Sequence, residues 1–384
     1  MAFKFNFTVD DLDLDETDNQ QQHLETSLND LSLSEDLTKL PCKEYDILSS
    51  PLPSVIQADI LTIPNVALPI YKRTLADVKF QMAEQDTLQQ QQHDGDEDQK
   101  VLDMLNLTGN SDLVRGVYEG GFKTWECSID LVQWLSSLPD EAMQGKQVLE
   151  IGCGSALPSL YLLARHPSNI VDVQDYNDQV IRLITLPNIL LNTILSPQEP
   201  TAALANGDLV DEPSSSDDDD DDDNDNDNDD NGDETQDGEG DEEEKDQVME
   251  DPVTCDAEAE IPADKVPDML QQLQQRTKAF IGDWEGLPTQ LTRKYDMLIT
   301  SETIYAEHSL PDLIRVFQKA LVKPHGVGYV AAKTVYFGVG GGILPFRELV
   351  NKAIDEDGDK FKVEKVFESD STVKREILKV SWAL

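Results

Sequence analysis

The sequence has few cysteines, and they form no pattern that would bind a metal or cross-link a small domain. The four are Cys42, Cys127, Cys153 and Cys255. No CxxC pair occurs among them, which argues against a zinc knuckle or a disulfide scaffold and fits a reducing intracellular compartment. The five histidines also lack metal-ligand spacing, so we predict no metal site.

Two further absences concern membranes and export. No apolar run approaches the roughly 20 residues that a bilayer-spanning helix needs. The N-terminal stretch MAFKFNFTVDDLDLDE has no basic region followed by an apolar core, so it does not resemble a signal peptide. We therefore expect no association with a membrane.

Positive charge is scarce, because 30 lysines and arginines face 77 aspartates and glutamates, for a formal net charge of -47. Residues 199–264 contain 30 acidic residues and one base, and residues 1–100 contain 20 acidic residues and seven bases. Direct binding of nucleic acid is not expected, since phosphate neutralisation needs clustered lysine and arginine. We predict that residues 199–264 form a disordered acidic insert. We also predict that residues 1–100 are largely disordered and acidic, with one helix near 75–92.

From residue 101 to residue 384, strand-like and helix-like segments alternate on either side of the insert. Such alternation produces right-handed βαβ units and a parallel sheet. The last two segments, KFKVEKVFES and VKREILKVSW, are instead two strands joined by a short turn, which predicts an antiparallel hairpin. This combination is typical of the Rossmann-like seven-stranded methyltransferase fold, an α/β fold with a mostly parallel sheet.

Two details of the crossover before the insert can be predicted. The helix that begins at Asp178 contains Pro187, which could kink it. Because the insert follows this crossover helix, it should leave from the edge of the sheet opposite the ligand crevice, which lies at the carboxyl ends of the strands.

A glycine-containing turn follows the first strand of this domain, in VLEIGCGSALPSL. Gly152 and Gly154 permit close approach of a ligand to the backbone. Leu157 stands where a dinucleotide fingerprint has its third glycine, and no lysine follows as in a phosphate-binding loop. Asp175 comes 23 residues after Gly152, at the end of the second strand, where it can accept hydrogen bonds from ribose hydroxyls. The pair predicts a nucleoside site.

Two more strand ends face the same crevice. GDW, residues 282–284, offers a polar side chain and an aromatic face to an adenine ring. SETIY, residues 301–305, lines the part of the crevice where chemistry would take place.

Six segments together closely resemble the histidine protein methyltransferases, within the larger class of seven-stranded S-adenosylmethionine enzymes: GVYEGGFKTWECSIDLVQWL, VLEIGCGSALPSL, VQDYN, GDW, YDMLITSETIY and YFGVGGGILPF. The resemblance covers roughly residues 112–382 apart from the insert. It implies that S-adenosylmethionine is the cofactor. The cofactor-binding residues that we assign are Thr124, Trp125, Glu126, Cys127, Ser128, Glu150, Gly152, Gly154, Gln174, Asp175, Tyr176, Gly282, Asp283, Trp284 and Ser301. Two positions depart from the family's usual pattern, Ala156 in place of glycine and Asp283 in place of a frequent glutamate.

The resemblance implies an in-line transfer of a methyl group from a sulfonium to an imidazole nitrogen. Imidazole is largely neutral near pH 7, so its nitrogen already has a lone pair and no strong base is required. The site must instead orient the ring and hold the reacting atoms about 3 Å apart. Our catalytic candidates are Glu302, Tyr305 and Tyr336.

Several of these residues also have a purely structural interpretation. Glu302 could tie down a neighbouring loop, and the two tyrosines could be ordinary packing. The glycine run 338–342 could admit a peptide substrate or could be a turn that leads into a helix. Trp125 could cover the methionine end of the cofactor or anchor its own helix.

The resemblance further implies that the substrate is a histidine of a large-subunit ribosomal protein and that the enzyme works in the cytoplasm and the nucleus. A basic ribosomal protein is electrostatically compatible with an acidic enzyme. We expect a monomer that does not bind nucleic acid directly. Two other hypotheses remain open: a protein-lysine methyltransferase on the same fold, and an acidic escort or chaperone for basic proteins.

Overall fold

The structure is a computed structural model that describes four stretches of the chain, residues 39–89, 121–198, 255–336 and 340–383. Predictions made for the remaining residues, including the first 38 and residues 199–254, lie outside these ranges. Within them, no helix combines the length and the apolar character that crossing a bilayer requires.

The described part of the chain contains eleven β-strands and ten α-helices. The strands are β1 (Lys43–Tyr45), β2 (Val55–Leu61), β3 (Ile70–Arg73), β4 (Gln147–Ile151), β5 (Ile170–Asp175), β6 (Ala257–Glu260), β7 (Ala279–Ile281), β8 (Met297–Ser301), β9 (Val327–Lys333), β10 (Lys360–Glu368) and β11 (Arg375–Ala383). The helices are α1 (Leu75–Gln89), α2 (Glu126–Ser137), α3 (Asp140–Met143), α4 (Leu157–Arg165), α5 (Asp178–Val180), α6 (Leu186–Thr193), α7 (Val266–Arg276), α8 (Leu287–Gln290), α9 (Leu310–Ala320) and α10 (Ile343–Lys352). A π-helical turn, Ile181–Thr185, joins α5 to α6 at the position of the predicted kink.

Eight of the strands form one sheet in the order β1-β7-β5-β4-β8-β9-β11-β10. The five from β7 to β9 are parallel and are covered on both faces, as parallel sheets usually are. Helices α2, α4, α6 and α7 pack on the face to which Val148 belongs, and α8, α9 and α10 pack on the face to which Leu149 belongs. The chain moves outward from β4 through β5 to β7 and then places β8 on the other side of β4. The carboxyl ends of β4 and its neighbours are therefore the ligand-binding edge.

The C-terminal hairpin is present as predicted. Strand β11 pairs antiparallel with both β9 and β10, so the last strand of the chain lies between them. The seven strands from β7 to β10 therefore have the arrangement of the seven-stranded methyltransferase fold, and the predicted α/β fold class is confirmed. The helix predicted after Ser309 is α9, and its apolar residues Leu313 and Phe317 are buried.

The N-terminal region differs from the prediction, because residues 39–83 pack as part of the fold. Strand β1 pairs antiparallel with β7 and adds an eighth strand to the large sheet. Strand β2 pairs with β3 and β6 in a second, three-stranded antiparallel sheet, in which Ile56 and Ala58 are fully buried. The sequence concealed β1 and β2 because they are short and their partners β7 and β6 lie about 200 residues away along the chain. The helix predicted near 75–92 is α1.

The acidic insert is shorter than predicted. Part of the segment assigned to it forms β6, and Ala257, Ala259 and Ile261 are buried in the fold. The flanks of residues 199–254 meet, because the Gln198 N–H donates to Glu258 O at 2.9 Å and the Glu258 N–H donates to Gln198 O at 2.8 Å. The folded part therefore resumes at residue 255 rather than after residue 264.

The flanks lie away from the carboxyl ends of the strands. Helix α6 begins beside the turn after β4, where the Asn188 side chain donates to Ser155 O. It ends beside Arg276, which precedes β7 at the amino ends of the strands. Gln198 follows the end of α6 closely. Residues 199–254 therefore leave from the side opposite the ligand-binding edge, as expected.

Replacing residues 199–254 by a short glycine-serine link should leave the midpoint of thermal unfolding within about 2 °C of the full chain, because the two flanks already meet. Replacing residues 199–264 instead removes β6 and its buried side chains, and should lower the midpoint by about 5 °C or more. Circular dichroism of the two variants checks this. Equal midpoints would show that β6 does not belong to the folded unit.

Candidate functional site

A turn of residues 152–156, called the glycine turn below, connects β4 to α4. Gly152, Gly154 and Ala156 have left-handed φ angles of +61°, +51° and +60°. A Cβ at Gly152 would lie 2.5 Å from Thr303 Cγ2, and one at Gly154 would lie 3.1 Å from Gly121 O. Glycine therefore satisfies both conformation and space at the first two positions. Ala156 adopts the same left-handed backbone as a buried alanine.

The side chain of Gln174 joins three strand ends beneath this turn. Its Oε1 accepts hydrogen bonds from the Gly152 N–H at 3.2 Å and from the Trp284 indole N–H at 2.9 Å. Its Nε2 donates to Gly282 O at 2.8 Å. The residue is fully buried. The prediction that Gln174 contacts the cofactor is therefore wrong: its side chain braces the ends of β4, β5 and β7.

Asp175 ends β5 and faces the glycine turn. Its Oδ2 accepts a hydrogen bond from the Gly154 N–H at 2.8 Å, and its Oδ1 accepts one from the Asn177 N–H at 3.4 Å. The residue is 7% exposed, and Tyr176 beside it is half-buried. The carboxylate therefore lies between the ends of β4 and β5, where the sequence placed it, and it also fixes the turn. Its contact with ribose stays a prediction.

The loop after β7, with Gly282, Asp283 and Trp284, is covered on one side by the N-terminal segment. Gly282 has a φ of +103°, and a Cβ there would lie 2.5 Å from Pro41 O. The Asp283 N–H donates to Leu40 O at 2.9 Å, and the Asp283 carboxylate accepts the N–H two residues on at 2.8 Å, so it caps its own turn. Trp284 is half-buried. The adenine contacts stay predictions, and the segment that flanks them was expected to be disordered.

Glu150, near the end of β4, is fully buried below the glycine turn. Its Oε2 accepts hydrogen bonds from the Ser159 hydroxyl and from the Ser159 N–H, the latter at 3.0 Å. Burial raises the pKa of its carboxyl to about 8. The side chain holds the first turn of α4, where helix N–H groups lack intrahelical partners. The predicted cofactor contact of Glu150 is wrong, because the residue has no exposed surface.

The segment before α2 lies above the glycine turn. Thr124 Oγ1 is 3.4 Å from Ser155 Oγ. Trp125 is half-buried and Glu126 is exposed. These three predicted contact residues keep accessible surface at the ligand-binding edge.

The next two predicted residues point inward. Cys127 is fully buried, and burial together with the neighbouring Glu302 carboxylate raises the pKa of its thiol. A cofactor contact of Cys127 is therefore wrong. Ser128 is buried with its hydroxyl donating to Trp125 O at 2.6 Å, and its cofactor contact stays a prediction.

The three predicted catalytic residues come together at the ends of β8 and β9. Tyr336 Oη donates to Glu302 Oε2 at 2.5 Å, and the rings of Tyr305 and Tyr336 meet edge to face with centroids 6.3 Å apart. Glu302 directly follows Ser301, which ends β8 half-buried, and has a left-handed φ of +57°. Its side chain is 7% exposed. Burial and the Glu302 carboxylate raise the pKa of Tyr336 well above its ordinary value, so Tyr336 stays protonated and donates.

Lys333 ends β9 and was missed from the sequence. Its Nζ lies 3.9 Å from Glu302 Oε1 and 5.1 Å from the centroid of the Trp125 ring, within cation–π range. Its backbone N–H donates to Tyr336 Oη at 3.2 Å. Lys333 therefore links the catalytic candidates to the segment before α2. The available signal was its place as the last residue of a buried parallel strand, where ligand-binding residues collect.

These residues fit a nucleoside that bears a positively charged sulfur. The carboxylates of Asp175 and Glu302 stand at neighbouring strand ends, one beside the glycine turn and one beside the aromatic pair. A carboxylate can accept ribose hydroxyls, and an aromatic ring such as that of Trp284 can lie against a purine. The donor set of this edge therefore suits S-adenosylmethionine.

Replacing Gln174 by leucine should lower the free energy of unfolding by about 3 kcal/mol or more, because it leaves two buried N–H donors and one buried carbonyl without a partner. Replacing Trp284 by phenylalanine removes one of the same three hydrogen bonds and should cost about 1–2 kcal/mol. Urea unfolding of both variants measures the difference. Equal losses would contradict the bracing role of Gln174.

Known proteins were compared by sequence and by fold. No family profile matches the chain. A Dictyostelium discoideum protein named histidine protein methyltransferase 1 homolog is 30% identical over 359 residues, which cover 91% of this chain and 90% of that protein. The Schizosaccharomyces pombe protein named histidine protein methyltransferase 1 is 33% identical over 290 residues, which cover 74% of this chain and 70% of that protein.

Solved structures are matched at much lower identity. The precorrin-6y C5,15-methyltransferase of Geobacter metallireducens is 10% identical with a TM-score of 0.32, over 67% of this chain and 92% of that one. The fibrillarin pre-rRNA processing protein of Methanococcus jannaschii is 13% identical with a TM-score of 0.30, over 62% of this chain and 66% of that one. The family assignment rests on the sequence relatives. By that measure the chain belongs to the histidine protein methyltransferase 1 family, and it is an S-adenosylmethionine-dependent methyltransferase.

Proposed function

We propose that this protein methylates an imidazole nitrogen of a histidine in a large-subunit ribosomal protein, in the cytoplasm and the nucleus. The observation on which the proposal depends is the group formed by Glu302, Tyr305 and Tyr336 at the ligand-binding edge. The names of the sequence relatives support histidine as the acceptor. The net charge of -47 supports a basic protein partner.

S-adenosylmethionine, when bound, supplies a methyl group on a positively charged sulfur. We assign the binding of its ribose hydroxyls to Asp175 and of its adenine ring to Trp284. Gly152 and Gly154 give the backbone approach at the end of β4. The Glu302 group lies on the other side of that strand, at the end of β8, so the acceptor would enter from this side.

The acceptor imidazole needs orientation and charge stabilisation rather than a strong base. Its nitrogen donates a lone pair to the methyl carbon as the carbon–sulfur bond breaks, and the positive charge passes from sulfur to the ring. The ring then loses the proton of its other nitrogen to solvent. The Glu302 carboxylate stabilises the ring charge as it develops, and the faces of Tyr305 and Tyr336 suit a cationic ring.

Two neighbours hold Glu302 in place for this role. Tyr336 donates to Oε2, and Lys333 stands beside Oε1. The left-handed backbone of Glu302 requires such support, since a non-glycine residue adopts it only where its surroundings enforce it. The carboxylate is therefore fixed before an acceptor arrives, which favours catalysis by orientation.

The acceptor is tested by incubating the protein with methyl-labelled S-adenosylmethionine and ribosomal proteins from cells that lack the enzyme. We expect the label on a histidine of a large-subunit protein, located by tandem mass spectrometry. Label on lysine alone would favour the lysine methyltransferase hypothesis. No label, together with salt-sensitive binding of basic proteins, would favour the escort hypothesis.

Replacing Glu302 by glutamine keeps the shape of the side chain and a hydrogen-bond acceptor for Tyr336 but removes the charge. We expect kcat to fall by about 10- to 100-fold, with KM for S-adenosylmethionine changed by less than about threefold. The matched control is Glu307→Gln, because Glu307 lies a few residues further on and is exposed. Equal rates for the two variants would remove Glu302 from the mechanism.

A further inference from the structure

The three-stranded sheet reaches the glycine turn through one side chain of α6. Asn188 Oδ1 accepts a hydrogen bond from the backbone N–H of Arg73 in β3 at 2.7 Å, and Asn188 Nδ2 donates to Ser155 O in the glycine turn at 3.0 Å. Arg73 and Asn188 are both fully buried. One amide therefore joins the N-terminal region directly to the turn that the proposed function places against the cofactor.

Arg73 also compensates for a missing donor between α5 and α6. Pro187 has no N–H, so the Leu183 carbonyl lacks the donor four residues ahead that an α-helix would supply. The Arg73 guanidinium takes that place, since Nη1 donates to Leu183 O at 2.8 Å. Asp77 fixes the guanidinium through a hydrogen bond from Nε at 2.6 Å. The N-terminal region thus completes the π-helical turn that precedes α6.

The π-helical turn presents a second side chain to the glycine turn. In such a turn each N–H reaches five residues back, which rotates the following side chains relative to an α-helix. Thr185 is fully buried, and its hydroxyl donates to Gly154 O at 2.7 Å. The carbonyls of Gly154 and Ser155 are therefore both held from the side of α6. The Gly154 N–H is held from the other side by Asp175.

We infer that Arg73 and Asn188 are positioning residues for the cofactor, and that residues 39–83 are part of the cofactor site. The glycine turn has three left-handed residues in five, a conformation that its surroundings must enforce. Asp77, Arg73, Asn188 and Thr185 form the connected set of contacts that enforces it from one side. The inference rests on the proposed binding of S-adenosylmethionine at this turn, and it is independent of the methyl acceptor.

The chain offers a matched pair of variants for testing this role. Asn192 lies one helical turn after Asn188 and also bonds to β3, accepting from the Tyr71 N–H at 3.0 Å and donating to Tyr71 O at 2.7 Å. Its remaining bond is to Asn188 O rather than to the glycine turn. Asn188→Ala and Asn192→Ala should therefore both weaken the attachment of β3, but they should differ in their effect on the turn.

The test measures binding of S-adenosylmethionine to the full-length variants by calorimetry, without any acceptor, beside their midpoints of thermal unfolding. We expect Asn188→Ala to raise Kd about tenfold, which corresponds to about 1.4 kcal/mol. Asn192→Ala should raise Kd less than about twofold at a comparable loss of thermal stability. Equal changes in Kd, or no change in either, would overturn the inference.

A second pair keeps the test decisive if Asn188→Ala does not fold. Thr185→Val removes the hydroxyl donor to Gly154 O with almost no change of shape, and Thr185→Ser keeps it. We expect a raised Kd for the valine variant and a nearly unchanged one for the serine variant. Equal Kd values would overturn the inference, whereas failure of the unaltered protein to bind S-adenosylmethionine would overturn the proposed function instead.

Discussion

The buried amide of Gln174 is the contact on which the rest of the ligand-binding edge depends. A side-chain amide has two donors and two acceptor lone pairs, so it can serve both neighbours of a central strand at once. Gln174 uses this capacity fully: it accepts from the glycine turn after β4 and from Trp284 after β7, and it donates to Gly282. Because these bonds are buried, leaving one unmade is costly, and the three strand ends keep a fixed spacing.

That spacing explains why the sequence predicted the general location of the site. In a parallel sheet the carboxyl ends of adjacent strands lie at one edge, so Gly152, Asp175 and Glu302 had to approach one another once the strand order was known. The same rule brought Tyr336 to Glu302, since the two follow adjacent strands. Lys333 obeyed the rule as well, although a lone lysine at a strand end gave no reason to single it out.

The direction of a side chain at a strand end could not be predicted in the same way. Glu150 and Gln174 lie one or two residues before Gly152 and Asp175, and this small offset places them inside the protein rather than at its edge. The turn decides which side chains face the ligand, and its left-handed residues are invisible in a hydropathy pattern. The N-terminal strands were missed for a different reason, because pairing over about 200 residues leaves no local signal.

Backbone strain at the same edge supports its functional role independently of any relative. Among the residues that the structure describes, the non-glycine residues with positive φ are Asn65, Ala156 and Glu302. The last two lie at the ends of β4 and β8. A left-handed conformation costs a residue with a side chain roughly 1–2 kcal/mol, so it persists only where several contacts enforce it. Thr185 and Asn188 bond the carbonyls of the glycine turn just before Ala156, and Tyr336 supplies an enforcing contact at Glu302. Both sides of the crevice are therefore held in shape by buried contacts rather than by the ligand, and a site that is organised in advance does not have to recover the cost of ordering from the binding of its substrates.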